Sequence, residues 1–244
     1  MRFPVRLKQG PEPPDAGDLY YEVAANGVFQ VKETALFRAV TRVTHDIPGL
    51  QPSSEQLVMK FPRLPDSLIE EVLGFFEAVH RRWQAEAIVL LFFEPETRGY
   101  LALAPPQRIS GYRDHRGRLR ATLHLDYENV ARPEGTLPFG SIHSHSDLAA
   151  YSSGVDCEDE LESGDGLHVV YGHFGGSGRP SRCAAFVSSG RRFRVDPSHV
   201  LSDCAVPERC TRQDWMAQVD FEETREWAGT KTGPWPVEIE AGEA

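Results

Sequence analysis

The sequence predicts an α+β protein, a mixed sheet flanked by helices with a small β-rich module ahead of it. Three observations carry this prediction. Asn26-Gly27 stands between two short segments of strand composition. Apolar residues then recur at intervals of three and four from Leu68 to Val79, the spacing of one buried helical face. An unbroken apolar run over 87–93 follows, and several further strand-length segments lie between it and residue 195.

Taken in order, residues 1–18 are rich in Pro, Gly and charge and read as a loose arm. Segments 19–23 and 28–32 read as a hairpin, because Asn and Gly both tolerate the positive φ of a tight turn. Residues 35–43 read as another strand, and the Pro, Gly and Ser residues over 48–54 as a loop. A helix is predicted over 66–82, started by Pro65-Asp66-Ser67 and burying Leu68, Ile69, Val72, Leu73, Phe75, Phe76 and Val79 on one face. The run 87–93 suits a strand covered on both faces. Residues 100–104 read as its hairpin partner, with a turn over 95–99. Strands are also expected over 120–127, 137–145, 166–172, 183–188 and 192–195. A last helix is expected over 213–227, anchored by Trp215 and Trp227, with a frayed acidic tail after Pro236. The division is therefore an N-terminal β-rich module over 1–64, a main domain over 65–205, and a C-terminal helix and tail over 206–244.

Composition narrows the function classes. Hydrophobic residues make up 40% and charged residues 25%, which is enough apolar material for a packed core. The net charge of −10 argues against nucleic-acid binding and against docking on anionic membranes, both of which need a basic surface. The apolar run ending at Phe93 is far too short to span a bilayer, and the N-terminus has no apolar signal region. Cys157, Cys183, Cys204 and Cys210 form no C-x-x-C pair, so reduced thiols in a cytoplasmic protein are expected.

One segment carries chemistry. Residues 143–156 read His-Ser-His, seven residues, Ser153, two residues, Asp156. Alternate residues of a strand share a face, so His143 and His145 can present both imidazoles to one point. Two imidazoles and a carboxylate suit zinc. Three protein ligands leave the fourth position open, as in catalytic rather than structural zinc sites. Asp159, Glu160 and Glu162 read as a solvated helix face, and His168 and His173 as ordinary strand or loop histidines.

His143, His145, Ser153 and Asp156 match in type and spacing the signature of the JAB/MPN+ (JAMM) zinc metalloproteases, and the order of elements over roughly 65–200 resembles that family's core. The resemblance implies an α/β/α-like, cytidine-deaminase-like fold with zinc held by His143, His145 and Asp156. It implies that Glu86, just before the strand after the first helix, is the general base, with Glu77 and Glu94 as weaker rivals. It implies that Ser153 stabilises the oxyanion, with capping of a turn or helix before Asp156 as the alternative. It also implies that residues 147–151 border the substrate groove, without assigning a binding residue. The implied activity is a peptidase or isopeptidase acting at the C-terminus of a ubiquitin-like protein or its conjugates. The Asn26-Gly27 hairpin, the acidic cluster Asp156 to Glu160 and the following Asp165-Gly166-Leu167-His168 are similar to bacterial JAB proteins found beside ubiquitin-like conjugation genes or in plasmid-type operons, which would set that activity in an antiphage conjugation system. The alternatives are an amidase acting on a sulfur-carrier-type protein and a non-catalytic MPN scaffold. The family often has Pro after the second His, whereas this chain has Ser146.

Overall fold

The computed structural model describes residues 4–9, 19–33, 38–47, 50–51, 53–113, 116–117, 119–176, 178–208, 210–223 and 238–240. The chain divides into two compact units, Met1–Glu55 and Gln56–Ala244. The boundary thus falls at Glu55 rather than after residue 64. The physical reason is that Leu57, Met59, Phe61 and Leu64 belong to the hydrophobic core of the second unit.

The first unit is a four-stranded sheet in sequence order, built from β1 (Val5–Leu7), β2 (Leu19–Ala24), β3 (Gly27–Glu33) and β4 (Arg38–Arg42). The loose arm expected over 1–18 contains β1, which pairs in parallel with β2. The hairpin turns at Ala25–Asn26, one residue earlier than expected, and Gly27 opens β3 at φ +140, a conformation that favours glycine.

The second unit begins with α1 (Asp66–Trp83). Its start is capped by no side chain, and its end is a left-handed Gln84. Then come β5 (Ile88–Glu94), β6 (Gly99–Leu103), β7 (Gln107–Arg113), β8 (Leu119–Tyr127), β9 (Leu137–Ser144), α2 (Gly154–Glu162), β10 (Gly166–Gly172), β11 (Ser181–Ser188) and β12 (Arg191–Val195). Two short helices, α3 (Pro197–Val200) and α4 (Gln213–Met216), precede β13 (Val219–Glu223) and β14 (Glu238–Glu240). The main sheet has the order β14-β12-β11-β10-β9-β5-β6, with β9 and β10 parallel at its centre. A second sheet has the order β13-β7-β8.

This arrangement corrects the C-terminal expectation. The long helix over 213–227 is only the four residues of α4, after which the chain extends as β13 and pairs with β7. Trp215 is buried as expected, against Phe75 and under Arg212, whereas Trp227 lies outside the described residues. Part of the acidic tail is β14, paired with β12.

Strand periodicity sorts the main sheet into two faces. Val89, Leu91, Ile142, Leu167, Val169, Tyr171 and Ala184 join the core with Ile69, Val72, Leu73, Phe76 and Val79 of α1. Their neighbours along each strand point the opposite way. That second face carries Ile88, Ser141, His143, His168, Val170, Cys183 and, through the β11–β12 register, Arg192. The protein is mixed α+β. Among the described residues no helix is long and apolar enough to cross a membrane.

Candidate metal centre

The centre is assembled at the end of β9. His143 is the penultimate residue of β9 and His145 follows the strand end, so both imidazoles project from the face opposite α1. The β5–β9 ladder ends with Ile88 opposite His143, and Glu86, two residues upstream, is coupled electrostatically to both imidazoles. The junction is held by side chains as well as by the ladder. Ala87 N–H donates to Ser144 Oγ at 3.0 Å, and Ser144 N–H donates to the Ala87 carbonyl at 2.9 Å. Buried Gln107 accepts from Ile88 N–H at 2.9 Å and donates back to the Ile88 carbonyl at 3.1 Å. Ser144 and Gln107 have no signal in the sequence, because each acts only through a backbone brought to it by the fold.

Asp156 reaches the centre from α2. Ser153 is the helix N-cap. Its Oγ accepts from Asp156 N–H at 3.1 Å, and its own N–H donates to Asp156 Oδ2 at 2.6 Å, forming a capping box. The residue expected to stabilise an oxyanion therefore also starts the helix that presents the aspartate.

The donor atoms converge. His143 Nε2 and His145 Nε2 are 3.3 Å apart, His143 Nε2 and Asp156 Oδ1 3.5 Å, and His145 Nε2 and Asp156 Oδ2 3.3 Å. The two Asp156 distances run to different oxygens of one carboxylate; with one donor atom taken from each residue, all lie within 4.8 Å of one another, against about 3.3–3.4 Å for three ligands at about 2.0–2.1 Å and tetrahedral angles. The three residues therefore form a group that could hold a metal ion. With protons in place of a cation, the same contacts are hydrogen bonds and ion pairs.

The ionisable groups are pushed in different directions. Burial lowers the basicity of His143, but bonding to Asp156 and the fields of Asp156, Glu86 and Glu160 outweigh it, and its pKa is raised. Burial pushes the Asp156 carboxyl up, yet bonds with His143, His145 and Ser153 hold it below the usual carboxylate range. Desolvation raises the pKa of Glu86 despite the opposing fields of His145 and His143, and Asp156 adds to the rise. That coupling places Glu86 electrostatically within the group. Glu94 is at the far end of β5, roughly 25 Å away along the strand, where it accepts from Thr97. Glu77 is ion-paired with Arg81 on α1.

Around the centre, exposed Tyr151 packs edge-on to the His145 ring at 4.8 Å. Ser146 stands at φ +49, and its Oγ bonds His80 Nδ1 at 2.8 Å. Proline cannot occupy that conformation, since its ring holds φ near −65°. The chain thus leaves His145 by a path that a proline at position 146 would forbid. His168 is buried, bonds Ser141 through Nδ1 at 3.0 Å, and has its pKa lowered to about 4 by burial. Glu160, expected on a solvated face, is instead buried in an ion pair with Arg192.

Compared with known proteins, this chain matches no family model and no curated sequence.

Proposed function

We propose that this protein is a zinc-dependent peptidase or isopeptidase of the JAB/MPN+ type, cleaving at the C-terminus of a ubiquitin-like protein or its conjugates. The observation that carries the reading is the convergence of one donor atom each from His143, His145 and Asp156 within 4.8 Å of one another, with Glu86 coupled to the same group. The donor chemistry fits zinc. When bound, the ion supplies Lewis acidity, making water acidic near neutrality and polarising a carbonyl.

The residues of the chain supply the rest. His143 and His145 present neutral Nε2 atoms as ligands, and Asp156 presents an ionised oxygen. Glu86 takes a proton from the attacking water at a carboxylate oxygen and delivers it to the leaving nitrogen. The water oxygen bonds to the carbonyl carbon, the carbonyl electron pair moves onto its oxygen, and its return breaks the C–N bond as the nitrogen takes the proton from Glu86. Desolvation raises the pKa of Glu86 above its ordinary value, so it takes up a proton more readily than an exposed carboxylate would. Ser153 uses its O–H hydrogen to bond the developing oxyanion. The complete set of ligands and base favours this reading over a non-catalytic scaffold.

The test uses purified protein, stoichiometric Zn²⁺ and a ubiquitin-like protein carrying a C-terminal amide-linked reporter. Glu86→Gln should keep its zinc and lose about 10²–10⁴-fold in cleavage rate, while Glu94→Gln keeps both. Normal turnover by Glu86→Gln, or a wild type that takes up no zinc, would overturn the proposal.

A further inference from the structure

We propose that Arg192 is a positioning residue for the metal centre, gripping both ends of the segment that carries Ser153 and Asp156. This inference rests on the metal-centre reading above. Arg192 lies on β12, on the sheet face that also bears His143. Its Nε donates to Glu160 Oε2 at 2.6 Å and its Nη2 donates to Ser152 Oγ at 2.5 Å. Ser152 Oγ also donates to Glu160 Oε1 at 3.4 Å. All three residues are buried, Arg192 and Glu160 to 4% exposure.

The grip acts where the centre needs it. Ser152 immediately precedes the N-cap, and Glu160 lies one helical turn beyond Asp156, so the two gripped residues bracket the ligand. The helix has few other holds. α2 is nine residues long, and among them only Cys157 and Glu160 are buried. A helix that short is not stable alone and takes its position from what it packs against. Metal donors must sit within about 0.2 Å of ideal distances, a tolerance that a loosely anchored helix does not meet.

The chemistry of the grip favours placement over stability. A guanidinium is a rigid planar fork, so one arginine fixes two acceptors at a set angle, which a lysine cannot do. A buried ion pair is a poor source of stability, since apolar residues of similar volume often hold a fold as well or better. Its contribution here is geometric: it fixes α2 in register with β12 and, through the sheet, with His143.

The experiment compares wild type with Arg192→Lys, Arg192→Met and the double variant Arg192→Met/Glu160→Leu. It reads Zn²⁺ affinity by competition with a chromophoric chelator, the visible spectrum of the Co²⁺-loaded protein, and thermal unfolding of the metal-free protein. Arg192→Met should bind Zn²⁺ about 10–100-fold more weakly and alter the Co²⁺ spectrum. Arg192→Lys keeps the charge but loses the fork, and should show a weaker affinity at near-native stability. The double variant removes the unpaired charge, so its stability should recover while its affinity and spectrum do not. Should the double variant or Arg192→Lys regain wild-type affinity and spectrum, the pair is only structural and the proposal is overturned. A wild type that binds neither ion would instead overturn the metal-centre reading itself, and with it the grip.

Discussion

Gly172→Ala tests whether the end of β10 sets the position of His145. The loop after β9 is tied to this strand end by backbone bonds. His145 N–H donates to the Tyr171 carbonyl at 2.7 Å, His173 N–H to the Leu148 carbonyl at 2.7 Å, and Phe174 N–H to the Ser146 carbonyl at 2.9 Å. Gly172 is where the loop crosses. A Cβ there would lie 2.2 Å from the Leu148 carbonyl oxygen and 2.6 Å from both the Ala149 carbonyl carbon and the Ala150 nitrogen. All three are backbone atoms and cannot swing aside. Ordinary contact begins at 3.4 Å, so the loop must lift by more than 1 Å. Leu148 N–H is bonded to the His145 carbonyl at 2.9 Å, so the displacement reaches the ligand. Overpacking of this kind costs about 1–3 kcal/mol, or roughly 2–12 °C in a domain of this size. A shift of about 1 Å in a reacting constellation costs about 100-fold in rate. The assays are thermal unfolding, Zn²⁺ competition and cleavage of the ubiquitin-like reporter. A variant that unfolds at the wild-type temperature and binds Zn²⁺ with wild-type affinity would refute the reasoning.

Two further outcomes follow from the same geometry. Ser146→Pro places a residue locked near −65° at φ +49 and breaks the bond to His80, so it should lose at least about 2–3 kcal/mol in urea unfolding. Ser146→Gly, which keeps the backbone and loses only the bond, should stay within about 1 kcal/mol of wild type; a proline variant as stable as the glycine one would contradict this account. Glu86 has a folded-state pKa raised above its ordinary value of 4.5, so the folded protein holds more protons than the unfolded chain between those two values, and stability falls as pH rises through that window. Metal-free Glu86→Gln should therefore melt higher than wild type at neutral pH, with the gap closing below about pH 4.5; equal melting temperatures at neutral pH would show that Glu86 is not strained by its site.

What the sequence made legible is what local spacing can encode. The period of a strand is enough to put His143 and His145 on one face. Ser153 and Asp156, three apart, are a capping box as well as part of the motif, so they report a helix start directly. The buried face of α1 follows from its three-and-four repeat. What stayed hidden depends on distant partners. Glu160 sits among Glu158, Asp159 and Glu162 and reads as solvated, because its partner Arg192 is 32 residues away on another strand. β7 holds four polar or charged residues and a glycine among its seven, and its neighbour β13 comes from more than a hundred residues later. The C-terminal segment reads as a helix, but pairing with β7 draws it out as a strand after one turn of helix. Tertiary contacts override local propensity at such places.

The electrostatics of the centre separate its two carboxylates in a way that spacing alone does not convey. Asp156 sits at a helix N-terminus, where its Oδ2 accepts a backbone N–H, and it faces two imidazoles. These contacts overcome its burial and hold it ionised. Glu86 sits just before a strand whose first amide is already bonded to Gln107; desolvation dominates there and draws it toward the neutral form. Two chemically similar groups, both coupled to His143 and His145, are thus pushed in opposite directions from their ordinary values. A metal ligand must be ionised at every step, whereas a general base must accept a proton and surrender it again near neutral pH. The proposed hydrolysis asks for that division of labour, and it predicts that exchanging the two residue types' surroundings, not their chemistry, is what would abolish it.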